Sequence, residues 1–369
     1  MDTTPRAVTE NVFYGPGLYK LDRQILAELK TLEPYRPVLA AIHAWVLIFI
    51  IVKVFLGYPA LVYFYPLVIF LIAGRAGVFL QLAHEAGHGL ISKGKFNEWF
   101  GNWIATYPIG LDLKGYAEPH VRHHACTNRV CDPISDSEKY RVCDIRSPKL
   151  WGLFLKDLLG VTALRIRFLY DQPMSNKDRK DITDYIETNE DTYTAYQSQS
   201  SSQSVVQSIK KYACIGLVQV VILGVLFEFN VLHYLLLWMI PLMTAHMFLM
   251  RVRGIAEHGL GIQMGVSGLD QKNRGTLYTR SFGTPVKHYS IPLLTFLERI
   301  LIGSLNVYYH HEHHLFPKVP YYNLPKLHKL ICEKELQHNP HIFAKGYFVS
   351  LFYNLRHRPS EPLPAPAIP

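Results

Sequence analysis

The sequence predicts an all-α integral membrane protein, with four transmembrane helices in two hairpins and a helical cap that carries a two-metal site. Three observations lead there. Four apolar blocks, most of bilayer-crossing length, are joined in pairs by short turns. Eight of the eighteen histidines fall into three clusters whose spacing puts them on helix faces. Lys and Arg gather at the ends of the blocks that bear these clusters and nearly vanish from the two turns.

The N-terminal segment, residues 1–36, is polar and carries Arg6, Lys20, Arg23, Lys30 and Arg36. It lacks the apolar core of a signal peptide. The first span runs over about 37–56, broken only by His43 and Lys53, and Gly57-Tyr58-Pro59 reads as a turn. The second span, about 60–83, contains Pro66, Arg75 and Gln81. A charge such as Arg75 is expensive in lipid, so it is expected to face protein or to lie where the helix leaves the bilayer.

A long polar section follows. Within it, 96–109 is apolar and tryptophan-bearing but too short to span, which suits an interfacial or re-entrant segment. Residues 172–208, acidic and then Ser/Gln-rich, read as a polar insertion that cannot bury a core. The third span, about 212–227, is only sixteen residues long and so requires tilt or a thinned bilayer. After Glu228-Phe229-Asn230 comes the fourth span, about 231–250. Pro292 to Val307 is another apolar stretch of interfacial length, and 359–369 is a proline-rich tail expected to be disordered. The membrane domain is thus 37–358.

Composition excludes other classes. Lys plus Arg number 38 against 29 Asp plus Glu, a net +9, but no nucleic-acid-binding signature accompanies the excess. Positive loops explain it, and the same rule puts both termini and every histidine cluster in the cytoplasm. The five cysteines form no CxxC pair, and their odd number fits reduced thiols.

The clusters are His84-Glu85-Ala86-Gly87-His88, His120-Val121-Arg122-His123-His124 and His310-His311-Glu312-His313-His314. In each, an i, i+4 pair or an i, i+3, i+4 triple shares a face. Neutral imidazole suits iron, copper and zinc. Eight ligands, or nine with His258, exceed one metal and match two metals of four or five ligands each. Such a redox-active pair, with iron preferred, can use dioxygen to break an unactivated C–H bond. Against this stands the zinc-protease pattern HExxH, in which Glu85 would act as general base. That reading leaves two clusters unused. So does the paired ExxH of soluble di-iron bundles, formally present at Glu85 to His88 and Glu335 to His338. His43, His233, His246, His288, His328, His338, His341 and His357 read as ordinary residues, and His311 as adjacent to a ligand but off its face.

The three clusters, in this order on this hairpin plan, resemble the histidine boxes of the membrane fatty acid desaturase superfamily. Thr127, Asn128, Asp132 and Pro133 after the second box and LFPKVPYYNLPKLH after the third continue the likeness, which runs from His84 to about Leu330. Asn306, four residues before His310, is similar to the sphingolipid desaturase version. LFPKVPYYNLP is similar to bacterial lipid desaturases and carotenoid oxygenases.

The resemblance implies two iron ions, O2 as co-substrate, and His84, His88, His120, His123, His124, His310, His313 and His314 as ligands. His258 would be the family's isolated extra histidine. Some members carry an Asn four residues before it; here that position is Gly254. No fused heme module is visible, so an external donor is implied, a ferredoxin or a b-type cytochrome with its reductase. The reaction implied is desaturation of a lipid acyl chain drawn from the bilayer; the alternative is hydroxylation or ketolation of a carotenoid or other lipid. Glu85, Asp132, Glu257, Asn306 and Glu312 are candidates to accept a ligand's outer ring N–H, or in one case to ligate directly.

Overall fold

The structure is a computed structural model that describes residues 12–15, 19–127, 148–169, 205–263, 279–283, 292–338, 343–344 and 346–356. Its axis is α3 (Tyr65–Gly87), buried almost continuously from Ile72 onward. Before it come β1 (Val12–Gly15), β2 (Tyr19–Asp22), α1 (Arg23–Leu29), α2 (Tyr35–Gly57) and a 3-10 turn, Pro59–Phe64. Then follow α4 (Lys95–Phe100), α5 (Leu113–Cys126), α6 (Pro148–Leu158), α7 (Val161–Leu169) and α8 (Val205–Phe227). The remainder is α9 (Val231–Tyr234), α10 (Ile240–Met243), α11 (Ala245–Gln263), α12 (Pro292–Leu301), α13 (His310–Leu315), α14 (Leu324–His338) and α15 (Tyr347–Arg356).

Four helical stretches are long and apolar enough to cross a membrane: Tyr35–Gly57, Pro59–Gly87, Val206–Phe227 and Val231–His258. On α2, Ala41, Ala44, Ile48 and Val52 are buried, three or four residues apart, while Leu39, Ile42, Val46 and Phe49 are exposed. One stripe therefore packs on the bundle and the other has the apolar character of a lipid-facing surface. Lys53 of α2 meets Glu228 of the loop after α8 at 2.6 Å, so both lie at one end of the bundle. His84 and His258 close their stretches at the other end.

The expected limits change in several places. In place of the expected sixteen residues, α8 runs from Val205 to Phe227, with Gln207, Ser208, Lys210 and Lys211 in its first two turns, and its apolar stretch of crossing length is Val206–Phe227. The last residues of the expected insertion, 205–208, belong to this helix; the rest of it and the tail lie outside the described residues. The fourth span is interrupted. Pro241 has no N–H to give the preceding turn, and Leu235–Met239 relaxes into a π turn. Tyr65 Oη donates to the Leu236 carbonyl there at 2.8 Å, and the chain breaks again at Thr244 before α11. The all-α expectation is amended by the antiparallel pair β1–β2, whose strands alternate too briefly to signal themselves.

Residues 95–109 wind from α4 through a π turn (Gly101–Thr106) into a 3-10 turn (Tyr107–Ile109), ended by Gly110 at φ 70. Phe100, Ala105 and Ile109 enter the same apolar core as the spans, whereas Phe96 and Trp99 stay exposed. Gln219 of α8 satisfies the freed carbonyls: its Nε2 donates to Tyr107 O at 2.7 Å and Pro108 O at 2.9 Å. Arg75 does face protein, donating through Nη2 to the Ile300 carbonyl in the last turn of α12. The neighbouring Gly74 permits that approach, since a Cβ there would lie 2.8 Å from Leu301 Cα.

Candidate metal centre

Four segments bring their histidines to the end of α3. The last turn of α3 presents His84 and His88. α5, capped at its start by Asp112, presents His120, His123 and His124; α11 presents His258; α13 presents His310, His313 and His314. All nine are buried. They divide into two groups, each with ligand nitrogens within 4.8 Å of one another: His84, His88, His120, His124 and His313, and His123, His258, His310 and His314. The second box contributes to both groups and so does the third, because adjacent histidines on a helix diverge by about 100°.

The ring nitrogens fit cations better than protons. His120 Nε2 lies 2.9 Å from His88 Nε2 and 3.0 Å from His124 Nε2, which is itself 3.0 Å from His313 Nε2. Each such nitrogen has one in-plane position, holding either a proton or a lone pair, so all three contacts cannot be hydrogen bonds at once. Two ligands at a right angle on a metal with ordinary metal–imidazole bonds stand about 3 Å apart. In the second group His258 Nε2 and His310 Nε2 are 2.9 Å apart, and His123 Nε2 and His314 Nε2 3.3 Å. His84 Nε2, buried, has no hydrogen-bond partner among the described residues. Burial, reinforced by neighbouring imidazoles, holds His88, His120, His124, His310, His313 and His314 well below the usual histidine range. They are therefore neutral, the form that ligates.

The outer contacts divide the five acidic and amide candidates. Glu85 Oε1 is 3.3 Å from His84 Nδ1, and its Oε2 accepts the Tyr321 N–H at 3.0 Å. Committed to that backbone, it is poorly placed as a protease base. Glu257 Oε2 is 3.5 Å from His310 Nδ1, while its Oε1 accepts from Arg253 Nε at 2.8 Å and Tyr347 Oη at 3.2 Å. Glu312 is turned away from both groups, because position i+2 after His310 falls on the far side of α13. It takes Ser281 Oγ at 2.8 Å and His328 Nδ1 instead. Asn306, at φ 56, donates to the Tyr321 carbonyl at 3.0 Å and accepts from Tyr308 Oη, so it braces a loop rather than a histidine. Asp132 lies outside the described residues.

His311 is buried against Thr279 Oγ1 at 2.9 Å and belongs to neither group. His246 lies 3.3 Å from the Ala73 carbonyl through Nδ1, in keeping with its reading as ordinary. His328, read the same way, instead pairs with Glu312. The side chains of Glu335 and His338, and the whole of His288, His341 and His357, lie outside the described residues. Sequence reasoning gave no site role to Arg253, Tyr347 and Gln81, and named Thr127 only within the likeness that follows the second box. Arg253 also reaches Gln81 Oε1 at 3.2 Å, Gln81 lies 3.2 Å from His84 Nδ1, and Thr127 Oγ1 lies 3.4 Å from His314 Nδ1. Apart from that likeness at Thr127, the i, i+4 spacing of Arg253 and Glu257 is the signal the sequence offers.

Comparison with known proteins bears on what this arrangement does. The family model described as Fatty acid desaturase matches residues 60–346. A curated protein named dihydrorhizobitoxine desaturase, from Bradyrhizobium elkanii, is 26% identical over 277 residues, covering 72% of this chain and 67% of its own.

Proposed function

This chain belongs to the fatty acid desaturase family, and from that premise we propose that it is an O2-dependent di-iron oxidoreductase that introduces a double bond into a lipid acyl chain. The observation that carries the reading is the pair of adjoining buried histidine groups at one end of four apolar helical stretches. In this reading His84, His88, His120, His124 and His313 hold one iron, and His123, His258, His310 and His314 the other. Bound there, the irons supply the dioxygen chemistry that removes two hydrogens from an unactivated chain.

The protein's own residues keep the imidazoles neutral by burial and aim them through their outer nitrogens. Glu85 orients His84, and Glu257, held by Arg253 and Tyr347, orients His310. In this reading electrons come from a separate donor, a ferredoxin or a b-type cytochrome with its reductase. Two helical hairpins with both termini and the site in the cytoplasm agree with the Lys/Arg distribution and with the meeting of Lys53 and Glu228 at the opposite end. Reporters inserted at Tyr58 and Asn230 are expected to read outside, and reporters at the termini inside. A terminus on the side opposite the histidines would overturn the topology.

Hydroxylation shares the first hydrogen abstraction and differs only in the fate of the radical. The relative is named as a desaturase, which favours the double bond here. Lipids from a host expressing this protein with a compatible reductant should contain a product two hydrogens lighter than its precursor. A product one oxygen heavier, absent with His310→Ala, would establish the hydroxylase instead.

A further inference from the structure

The segment Lys318–Asn323, between the third histidine box and α14, touches the first box on one side and the N-terminal arm on the other. On the inner side, Lys318 Nζ donates to the His88 carbonyl at 2.8 Å. That carbonyl belongs to the end of α3, where backbone acceptors lack partners within the helix and a cation is favoured. Three residues on, the Tyr321 N–H donates to Glu85 Oε2, whose other oxygen faces His84. Both histidines of the first box thus meet one short loop, directly or through one residue.

On the outer side the same loop is gripped by residues before and at the very start of the first apolar stretch. Tyr322 Oη accepts the Glu33 N–H at 2.6 Å and donates to the Thr31 carbonyl at 3.2 Å. Asn323 Nδ2 donates to the Leu29 carbonyl at 2.8 Å. The Arg36 guanidinium lies 4.9 Å over the Tyr322 ring. Beneath, Leu26 and Leu29 of α1 share an apolar cluster with Phe316, Val319, Leu324 and Leu327. Residues 1–36 read as a polar cytoplasmic N-terminal segment, yet Leu29 is fully buried.

We propose that Lys318–Asn323 is a positioning brace for the five-histidine group, and that Lys318, Tyr322 and Asn323 are positioning residues that act on His84 and His88 through it. The N-terminal arm clamps the brace from outside. The outer contacts of the four-histidine group come from other elements, Glu257 beside His310 and Thr127 beside His314. The brace therefore acts on metal affinity first at the five-histidine group, through His84 and His88. This rests on the di-metal reading above, and its test separates the two.

Purified, chelated protein in detergent is titrated anaerobically with Co2+, read by its visible absorption and by calorimetry, beside the melting temperature of the metal-free form. Wild type should bind two equivalents. Lys318→Met and the double variant Tyr322→Phe/Asn323→Ala should keep one equivalent at wild-type affinity and weaken the other about 10–100-fold, the usual scale for loss of an outer support. Wild type binding fewer than two equivalents would overturn the di-metal reading. Two wild-type equivalents with both variants unchanged would overturn the brace alone. Equal weakening of both equivalents, or failure of every variant to fold, would reduce the loop to a purely structural role and overturn the proposal too.

Discussion

The two histidine groups use one kind of ligand on two kinds of frame. The five-histidine group stands on the end of α3, and its outer support is mostly backbone: the Tyr321 N–H on Glu85 and the His88 carbonyl under Lys318. The four-histidine group leans on side chains, with Glu257 fixed by Arg253 and Tyr347, and Thr127 near His314. The Tyr321 N–H comes with correct folding and no side-chain change removes it, whereas Lys318 can be replaced. Side-chain support is removable, and here it includes a buried ion pair whose rupture strands a charge. The groups should therefore fail in different ways.

The largest effect comes from the rings themselves. His84→Ala and His310→Ala should each lower metal content from about two per chain toward about one, and abolish product formation. Elemental analysis of the purified variants checks this, and equal retention of both metals would remove the distinction between the groups. Next comes Arg253→Met, which leaves Glu257 buried without its cation. It should destabilise the protein by about 3–5 kcal/mol, and adding Glu257→Leu should recover much of that loss, because the second change removes the stranded charge. Thermal or denaturant melts of the two single variants and the double variant complete the cycle; strict additivity would show that the pair is not coupled.

Gly74→Ala touches neither group but crowds the α3–α12 crossing, and should cost about 1–3 kcal/mol with two metals retained. Tyr347→Phe removes one of the two donors to Glu257 Oε1, at about 0.5–1.5 kcal/mol, with any loss of metal confined to the four-histidine group. His43→Ala, on the exposed stripe of α2, should change neither metal content nor melting. A measurable loss of metal there would break the division between chemical and ordinary histidines.

That division was legible in the sequence because it is local. Spacing of three and four residues specifies a helix face whatever surrounds it, so the three boxes are visible as candidate ligand sets before any fold is known. The four apolar stretches are legible for a similar reason: the bilayer sets a length and a composition that a run of residues either meets or does not. Even Glu85 and Glu257 could be nominated, being adjacent in the chain to His84 and His258. The same adjacency misled at Glu312, which neighbours ligands in sequence and faces His328 in space.

What only the tertiary structure decided are relations between distant segments. The partition of the second and third boxes between two groups depends on how α5 and α13 are rotated against α3, a geometry that no spacing within either helix contains. The outer partners come from elsewhere: Tyr347 lies 90 residues from Glu257, and Tyr321 lies 236 from Glu85. The same holds for the N-terminal arm, whose polar composition conceals two leucines spaced to reach a loop nearly 300 residues on. Hydrophobic periodicity says which side of a helix seeks cover. Packing alone chooses the segment that provides it, because burial is non-directional and many apolar faces could serve.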